Sequence, residues 1–153
     1  MKRGIVFAGI VGIVVVVGLF IVLGTGSKPV SGQEITMYKS PSCGCCVGHA
    51  GYLEGEGYGV DIIANGQALA NVKAEQNIPV SVRSCHTSII EGYFVEGHMP
   101  IEAINKLLEE RPDIDGIALP DMPVGAPGMP GRKQGEWIIY AIKDGQVSEF
   151  MKY

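Results

Sequence analysis

"EITMYKSPSCGCCVGHAGYLEG", residues 34–55, joins a strand-like start to a helix-like end through a cluster of cysteines. Ile35 and Met37 alternate with Thr36 and Tyr38, the period of a half-buried strand. Pro41 and Ser42 break that pattern, and Ser42 is a candidate N-cap for a helix. Val47, Ala50 and Leu53 then recur at helical spacing, in a segment reaching Glu56 that is rich in glycine. Between strand and helix, Cys43-Gly44-Cys45-Cys46 contains a CxxC, a CxC and a vicinal pair at once. Only Cys85 completes the chain's four cysteines.

The same punctuation continues outward. "YGVDIIA" (58–64) reads as a second strand, and Asn65-Gly66 turns into the helical "QALANVKAEQN" (67–77). "TSIIEGYFVEG" (87–97) is two apolar runs about Glu91-Gly92, a tight hairpin. Pro100 opens "IEAINKLLEE", where Ile101, Ile104, Leu107 and Leu108 form one stripe before Pro112 ends it. The tail holds a Gly/Pro/Met loop, "LPDMPVGAPGMPG" (119–131), and a final hairpin. There "EWIIYAI" and "QVSEFMKY" flank an Asp144-Gly145 type I′ turn. The resulting β-α-β-α-β-β-α order, with the cysteines between first strand and first helix, resembles the α/β thioredoxin fold, here with an added C-terminal β-hairpin. A helix N-terminus suits thiolates, because its free N–H groups and dipole favour negative charge.

At 153 residues the chain has room for one principal core. Its net charge is −4, and every Asp and Glu lies from Glu34 onward. No Lys/Arg-rich run exists, which argues against a nucleic-acid partner. Residues 1–24 begin with Lys2 and Arg3 and continue as an apolar run from Gly4 to Gly24. That length matches a spanning helix of about 20 residues better than a signal-peptide core of about 7–15. The expectation is an N-terminal transmembrane anchor (1–24), a linker (25–33) and a domain at 34–153. The positive N-terminus then stays cytoplasmic and the domain lies outside the membrane, where disulfides are permitted. No A-x-A site comes after the run. "GTGS" does offer small residues, and cleavage there would release a secreted, soluble form.

Three cysteines in four positions cannot tie distant loops together, so a structural framework explains them poorly. A redox dithiol needs only Cys43 and Cys46 and leaves Cys45 and Cys85 without a role. A metal site uses all four. Thiolates select Cu(I), Zn²⁺ and iron–sulfur clusters. One tetrahedral zinc usually takes well-separated pairs, whereas crowded CxCC spacing suits bridging thiolates that share Cu(I) ions. Cys85 precedes the third strand and would face the dithiol loop in a thioredoxin-like layout. His86, His98-Met99, Met122 and Met129 are further candidate ligands, although methionine in a small domain is commonly core filler. His49, on the first helix, reads as a solvated or capping side chain. The acids of Glu109-Glu110 read as a solvated helix face, and no Ser/His/Asp set or phosphate loop stands out.

"YKSPSCGCC" (38–46), "PVSVRSCHTSIIEGYFVEGHMPIEAI" (79–104) and "GIALPDMPVGAPGMPG" (116–131) together resemble the family labelled domain of unknown function 411. That family includes periplasmic copper-resistance proteins of the CopG type. The resemblance runs from about Glu34 to Ala141. It implies a thioredoxin-like domain that binds copper through Cys43, Cys45, Cys46 and Cys85, with a redox role in handling excess copper. His86 and His98 match its "SCHT" and "EGH" motifs, and Met122 and Met129 its Met loop. Relatives carry an aromatic residue and a His–Leu-like pair early in the first helix, where this chain has His49 and Tyr52-Leu53.

Three readings stay open on the residues alone. The first is a membrane-anchored Cu(I) protein of copper resistance, with a copper-handling protein as a further partner. The second is a metal-independent thiol–disulfide oxidoreductase in which Cys43 and Cys46 are catalytic. The third is a passive copper chaperone or storage module.

Overall fold

The computed structural model describes residues 32–153; the apolar run Gly4–Gly24 and most of the linker fall outside the described residues. Among those described, no helix is long and apolar enough to cross a membrane. The chain forms β1 (Glu34–Lys39), α1 (Gly44–Gly55), β2 (Gly59–Ala64) and α2 (Gly66–Glu75). A short 3-10 turn at Val80–Val82 leads into β3 (His86–Ile90) and β4 (Tyr93–Glu96). Next come α3 (Ile101–Glu110), β5 (Gly116–Ala118), β6 (Ile138–Lys143) and β7 (Gln146–Lys152). The architecture is mixed α/β, one seven-stranded sheet in the order β2-β1-β3-β4-β5-β6-β7.

The β-α-β-α-β-β-α order and the C-terminal hairpin are those expected. Both hairpins turn on pairs in the left-handed region, Glu91-Gly92 at φ 47° and 88° and Asp144-Gly145 at φ 50° and 74°. That conformation matches the twist of the flanking strands. The additional element is β5, three residues long and too short for alternation to register in the sequence. It pairs parallel with β4 and antiparallel with β6, and so joins the terminal hairpin to the rest of the sheet.

Alternation divides the sheet between two cores. Ile35, Met37, Val95 and Ile117 face Ala50 and Leu53 of α1 and Ala103, Ile104 and Leu107 of α3. On the opposite face Phe94, Ala118 and Ile142 pack with Ile78 and Val82. There α2 runs against β1 and β3. Asn65 caps α2 through its Oδ1, which accepts from Gln67 N (2.9 Å) and Ala68 N (3.0 Å).

Two details of α1 differ from expectation. Its N-cap is Cys43, without a side-chain cap bond, and the Ser42 hydroxyl meets that of Ser40 at 3.1 Å instead. The Cys43–Cys46 link spans one helical turn and fixes the start there. The buried stripe is Cys46, His49, Ala50 and Leu53, while Val47 is 53 % exposed. That is the i, i+3, i+4, i+7 face of a helix, with a cysteine and a histidine as two of its core residues.

Candidate metal centre

Four chain segments meet at one end of the sheet. β1 ends at Lys39, paired with His86 at the start of β3; β4 ends beside Thr87 and beside Ala118 of β5. The loops leaving those ends carry Cys43–Cys46, Cys85-His86, His98 and the Met loop to one place. Gly97 makes the turn into His98, with φ +86° and so little room that a Cβ would stand 2.4 Å from Leu119 O. Only glycine fits there.

Cys43 and Cys46 form a disulfide, and Cys45 and Cys85 are free thiols. Cys43 Sγ lies 3.5 Å from Cys45 Sγ, and Cys46 Sγ lies 3.6 Å from Cys85 Sγ. All four sulfurs fall within 4.8 Å of one another. A second group, Cys46, Cys85, His86 and His98, meets the same 4.8 Å limit. The two groups share Cys46 and Cys85.

The histidines form a buried chain whose proton positions are set by what each carbonyl can accept. His49 Nε2 is 3.0 Å from Met99 O, so it carries the hydrogen and leaves Nδ1 bare. His86 Nε2 then donates to His49 Nδ1 at 2.8 Å. That leaves His86 Nδ1 bare, 3.2 Å from Cys85 Sγ, to accept the thiol proton. His98 Nδ1 donates to Pro127 O at 2.7 Å, so its Nε2 lone pair is free. That Nε2 is buried without a hydrogen-bond partner. A ring nitrogen held by a backbone carbonyl while the other is left bare is the arrangement of a metal-binding histidine.

Burial keeps these rings neutral. It pushes His49 from 6.5 down to about 4, against the Met99 bond, with His98 lowering it further. His86 falls well below 6.5 through burial and then the neighbouring His49 and His98. Burial also lowers His98. It pushes the Cys85 thiol from 9.0 up to about 11, with Cys45 adding to the rise. Neutral imidazoles and thiols fit a soft cation, which replaces the thiol protons on binding. The disulfide must first be reduced for Cys43 and Cys46 to contribute as thiolates.

Behind the sulfurs lies a clamp. Glu96, fully buried on β4, accepts from Lys73 Nζ of α2, from Ser84 N at 2.5 Å and from Thr87 Oγ1 at 2.6 Å. Lys73 Nζ also donates to Ser84 O at 3.2 Å. Both backbone polar groups of Ser84 are thereby held, which fixes the residue just before Cys85. The Met loop closes the other side. A Cβ on Gly128 (φ +76°) would stand 2.3 Å from His49 N, so the loop backbone rests directly on α1.

The structure thus brings together Cys43, Cys45, Cys46, Cys85, His86 and His98. Met129 is half-buried against the main core, and Met122 stands 38 % exposed in the turn after β5. Met99 is a core side chain that offers the site only its carbonyl. His49 is corrected from solvated or capping to 1 % exposed and hydrogen-bonded at both nitrogens. Its spacing three residues after Cys46 and four before Leu53 was the available signal. Lys73 and Glu96 carried no motif at all.

The family model described as "Protein of unknown function, DUF411" matches residues 82–129. Two solved structures are similar along most of the chain. "Copper resistance protein copG- Form 2" is 38 % identical with a TM-score of 0.73, the match covering 80 % of this chain and 99 % of that one. "Copper resistance protein copG- Form 1" is 38 % identical with a TM-score of 0.71, covering 78 % of this chain and 96 % of that one. No curated protein matches.

Proposed function

The chain belongs to the DUF411 family of CopG-like copper-resistance proteins, and from that premise we propose that it holds Cu(I) in a cysteine-bridged site and serves copper resistance or homeostasis. In this reading the first four strands and three helices are a thioredoxin-like unit, and the domain is held outside the cytoplasmic membrane by residues 1–24. Cys43, Cys45, Cys46 and Cys85 are the principal ligands, joined by His86 and His98, with copper as cargo.

The observation that carries the reading is the pair of overlapping donor groups sharing Cys46 and Cys85. A CxxC dithiol by itself does not account for Cys45 and Cys85 or for a bare, buried His98 Nε2. Two groups with two shared sulfurs are suited to more than one ion per chain, because a thiolate can bridge two soft cations. Anaerobic Cu(I) titration of the reduced full-length chain should reach a stoichiometry above one. A variant with all four cysteines changed to serine should lose that binding. Zero stoichiometry, or binding unchanged in that variant, would overturn the proposal.

One observation favours the second reading, a thiol–disulfide oxidoreductase: Cys43 and Cys46 are already linked at the start of α1. Turnover of a disulfide substrate by the metal-free chain would support it. A Cu(I) complex inert to oxidants and reductants would instead indicate passive storage.

A further inference from the structure

Beyond binding a metal, four sulfurs at this spacing can react with one another when no metal is present. We propose that Cys85 attacks Cys46 and moves the disulfide from Cys43–Cys46 to Cys46–Cys85, releasing Cys43 beside Cys45 as a second dithiol. This rests on the four-sulfur reading of the site but not on copper.

The first ground is contact. Cys85 is a free thiol whose sulfur sits 3.6 Å from one sulfur of an existing disulfide. It belongs to a different segment from α1, so it can approach without disturbing that helix. The clamp of Lys73 and Glu96 on Ser84 keeps it there. Its S–H is directed to His86 Nδ1, which leaves the sulfur lone pairs free to face Cys46. Cys45 is as close to Cys43, at 3.5 Å, but the two are separated by Gly44 alone. A bond there would close a ring across Gly44 alone at the start of α1, a tighter link than one made by a residue from another segment.

The second ground is the leaving group. Cys43 occupies the N-cap of α1, where free N–H groups and the helix dipole stabilise the negative charge that develops on the departing sulfur. Burial keeps most of Cys85 protonated, which slows the attack. Proximity acts in the opposite direction: the thiol need not diffuse to the disulfide, and with Cys85 Sγ within 4.8 Å of Cys43 Sγ as well, the Cys85 side chain has only to turn into line with the Cys43–Cys46 bond.

The step balances within the chain. Cys85 Sγ bonds to Cys46 Sγ, and its proton departs through the hydrogen bond to His86 and solvent. The Cys43–Cys46 bond breaks, its electron pair leaves on Cys43 Sγ, and Cys43 takes up a proton. One disulfide is present before and after, so neither oxidant nor reductant is consumed. The consequence is a disulfide that can retreat to fully buried Cys46 and half-buried Cys85, and a CxC dithiol presented at the start of α1.

The test uses the full-length chain in detergent, freed of metal with a copper chelator and oxidised to one disulfide. It is then treated with N-ethylmaleimide, and its peptides are mapped by mass spectrometry without reduction. Adducts on Cys43, accompanied by a Cys46–Cys85 linkage and accumulating at a rate independent of protein concentration, are the expected result. Adducts confined to Cys45 and Cys85, with Cys43–Cys46 intact, would overturn it. An adduct on Cys46 would make Cys43 the sulfur attacked and overturn it too, as would a rate that rises with protein concentration. Cys85→Ser should abolish the Cys43 adduct. Should that variant fail to fold, the wild-type map decides alone. Because no copper is present, failure here leaves the proposed function to its own titration.

Discussion

Cys45 is the residue at which the dithiol and the metal reading make opposite demands. A redox CxxC needs Cys43 and Cys46 and is indifferent to Cys45; a bridged Cu(I) site needs its sulfur. Cys45→Ser exchanges a soft, anionic ligand for a neutral hydroxyl that Cu(I) scarcely binds. Its side chain is half-buried at the helix start rather than in a core, so the fold should survive. Copper affinity should fall by more than the ~10–100-fold that accompanies loss of an outer partner of a ligand, with stoichiometry reduced. Anaerobic titration alongside a thiol–disulfide assay measures both, and unchanged copper binding would favour the redox-only reading. His49 makes a separate demand, on pH. It is a base held neutral in the folded chain, at about 4 against an ordinary 6.5. Below 6.5 the unfolded chain binds the extra proton and the folded one resists it, so the stability present above 6.5 is lost as pH falls towards 4. The loss is about 3 kcal/mol for this one group, with His86 acting in the same direction. Urea unfolding of the metal-free chain at pH 7 and pH 4.5 should show it, and His49→Leu should flatten the slope. The six proposed ligands carry soft or imidazole donors and so announced themselves in the sequence. His49 did not, because an orienting histidine and a solvated one have the same letter and differ only in what folds over them.

At the scale of elements, the centre depends on two supports that do not themselves present ligands. The buried Lys73–Glu96 pair ties α2 and β4 to the loop before Cys85. Removing one member leaves a buried charge without its partner, which typically costs about 3–5 kcal/mol. Glu96→Ala should therefore destabilise strongly in chemical denaturation, and Cys85 should alkylate faster under native conditions. Lys73→Met with Glu96→Leu should cost less than Glu96→Ala, without full recovery, because Ser84 N–H and the Thr87 hydroxyl would still lack an acceptor. The second support is the Met loop, seated on α1 at Gly128. Gly128→Ala places a methyl where His49 N already stands, at a φ that L-residues avoid. The loop should lift from the helix and take with it the Pro127 carbonyl that orients His98. The expected result is a folded protein with weaker copper affinity, while Gly135→Ala, with nothing within 4 Å of its Cβ, should leave affinity unaltered and show only local backbone strain. Neither support was legible beforehand. Lys73 and Glu96 are ordinary charged residues in an amphipathic helix and an alternating strand, and only the register of β3 on β4 and the position of α2 make them partners.

For the whole molecule, patterning sufficed where elements are long or sharply punctuated: β1, the Asn65-Gly66 turn into α2, both hairpins, and α3 between Pro100 and Pro112. It failed at β5, whose three residues acquire strand character only by lying between β4 and β6. The segment before Gly32 poses the remaining question, since it decides which copper pool the site can meet. From Gly4 to Gly24 the sequence offers no charge and no polar face, so no orientation on a protein surface would satisfy it in water. At ~1.5 Å per residue, a helix of that length matches the ~30 Å hydrocarbon core of a bilayer. In the proposed arrangement Lys2 and Arg3, ahead of the run, would keep the N-terminus on the cytoplasmic side. Fewer than ten residues separate Gly24 from Glu34 at the start of β1, so an uncleaved run would hold the domain close to the outer face of the membrane. Fractionation of cells producing the full-length chain should leave it in the membrane pellet through high-salt and carbonate washes, and only detergent should release it. A protease added to intact spheroplasts should remove the domain, as the proposed outward orientation requires. Recovery of a soluble species beginning near "GTGS" would show the run to be a removed signal, and protection from the protease would reverse the orientation.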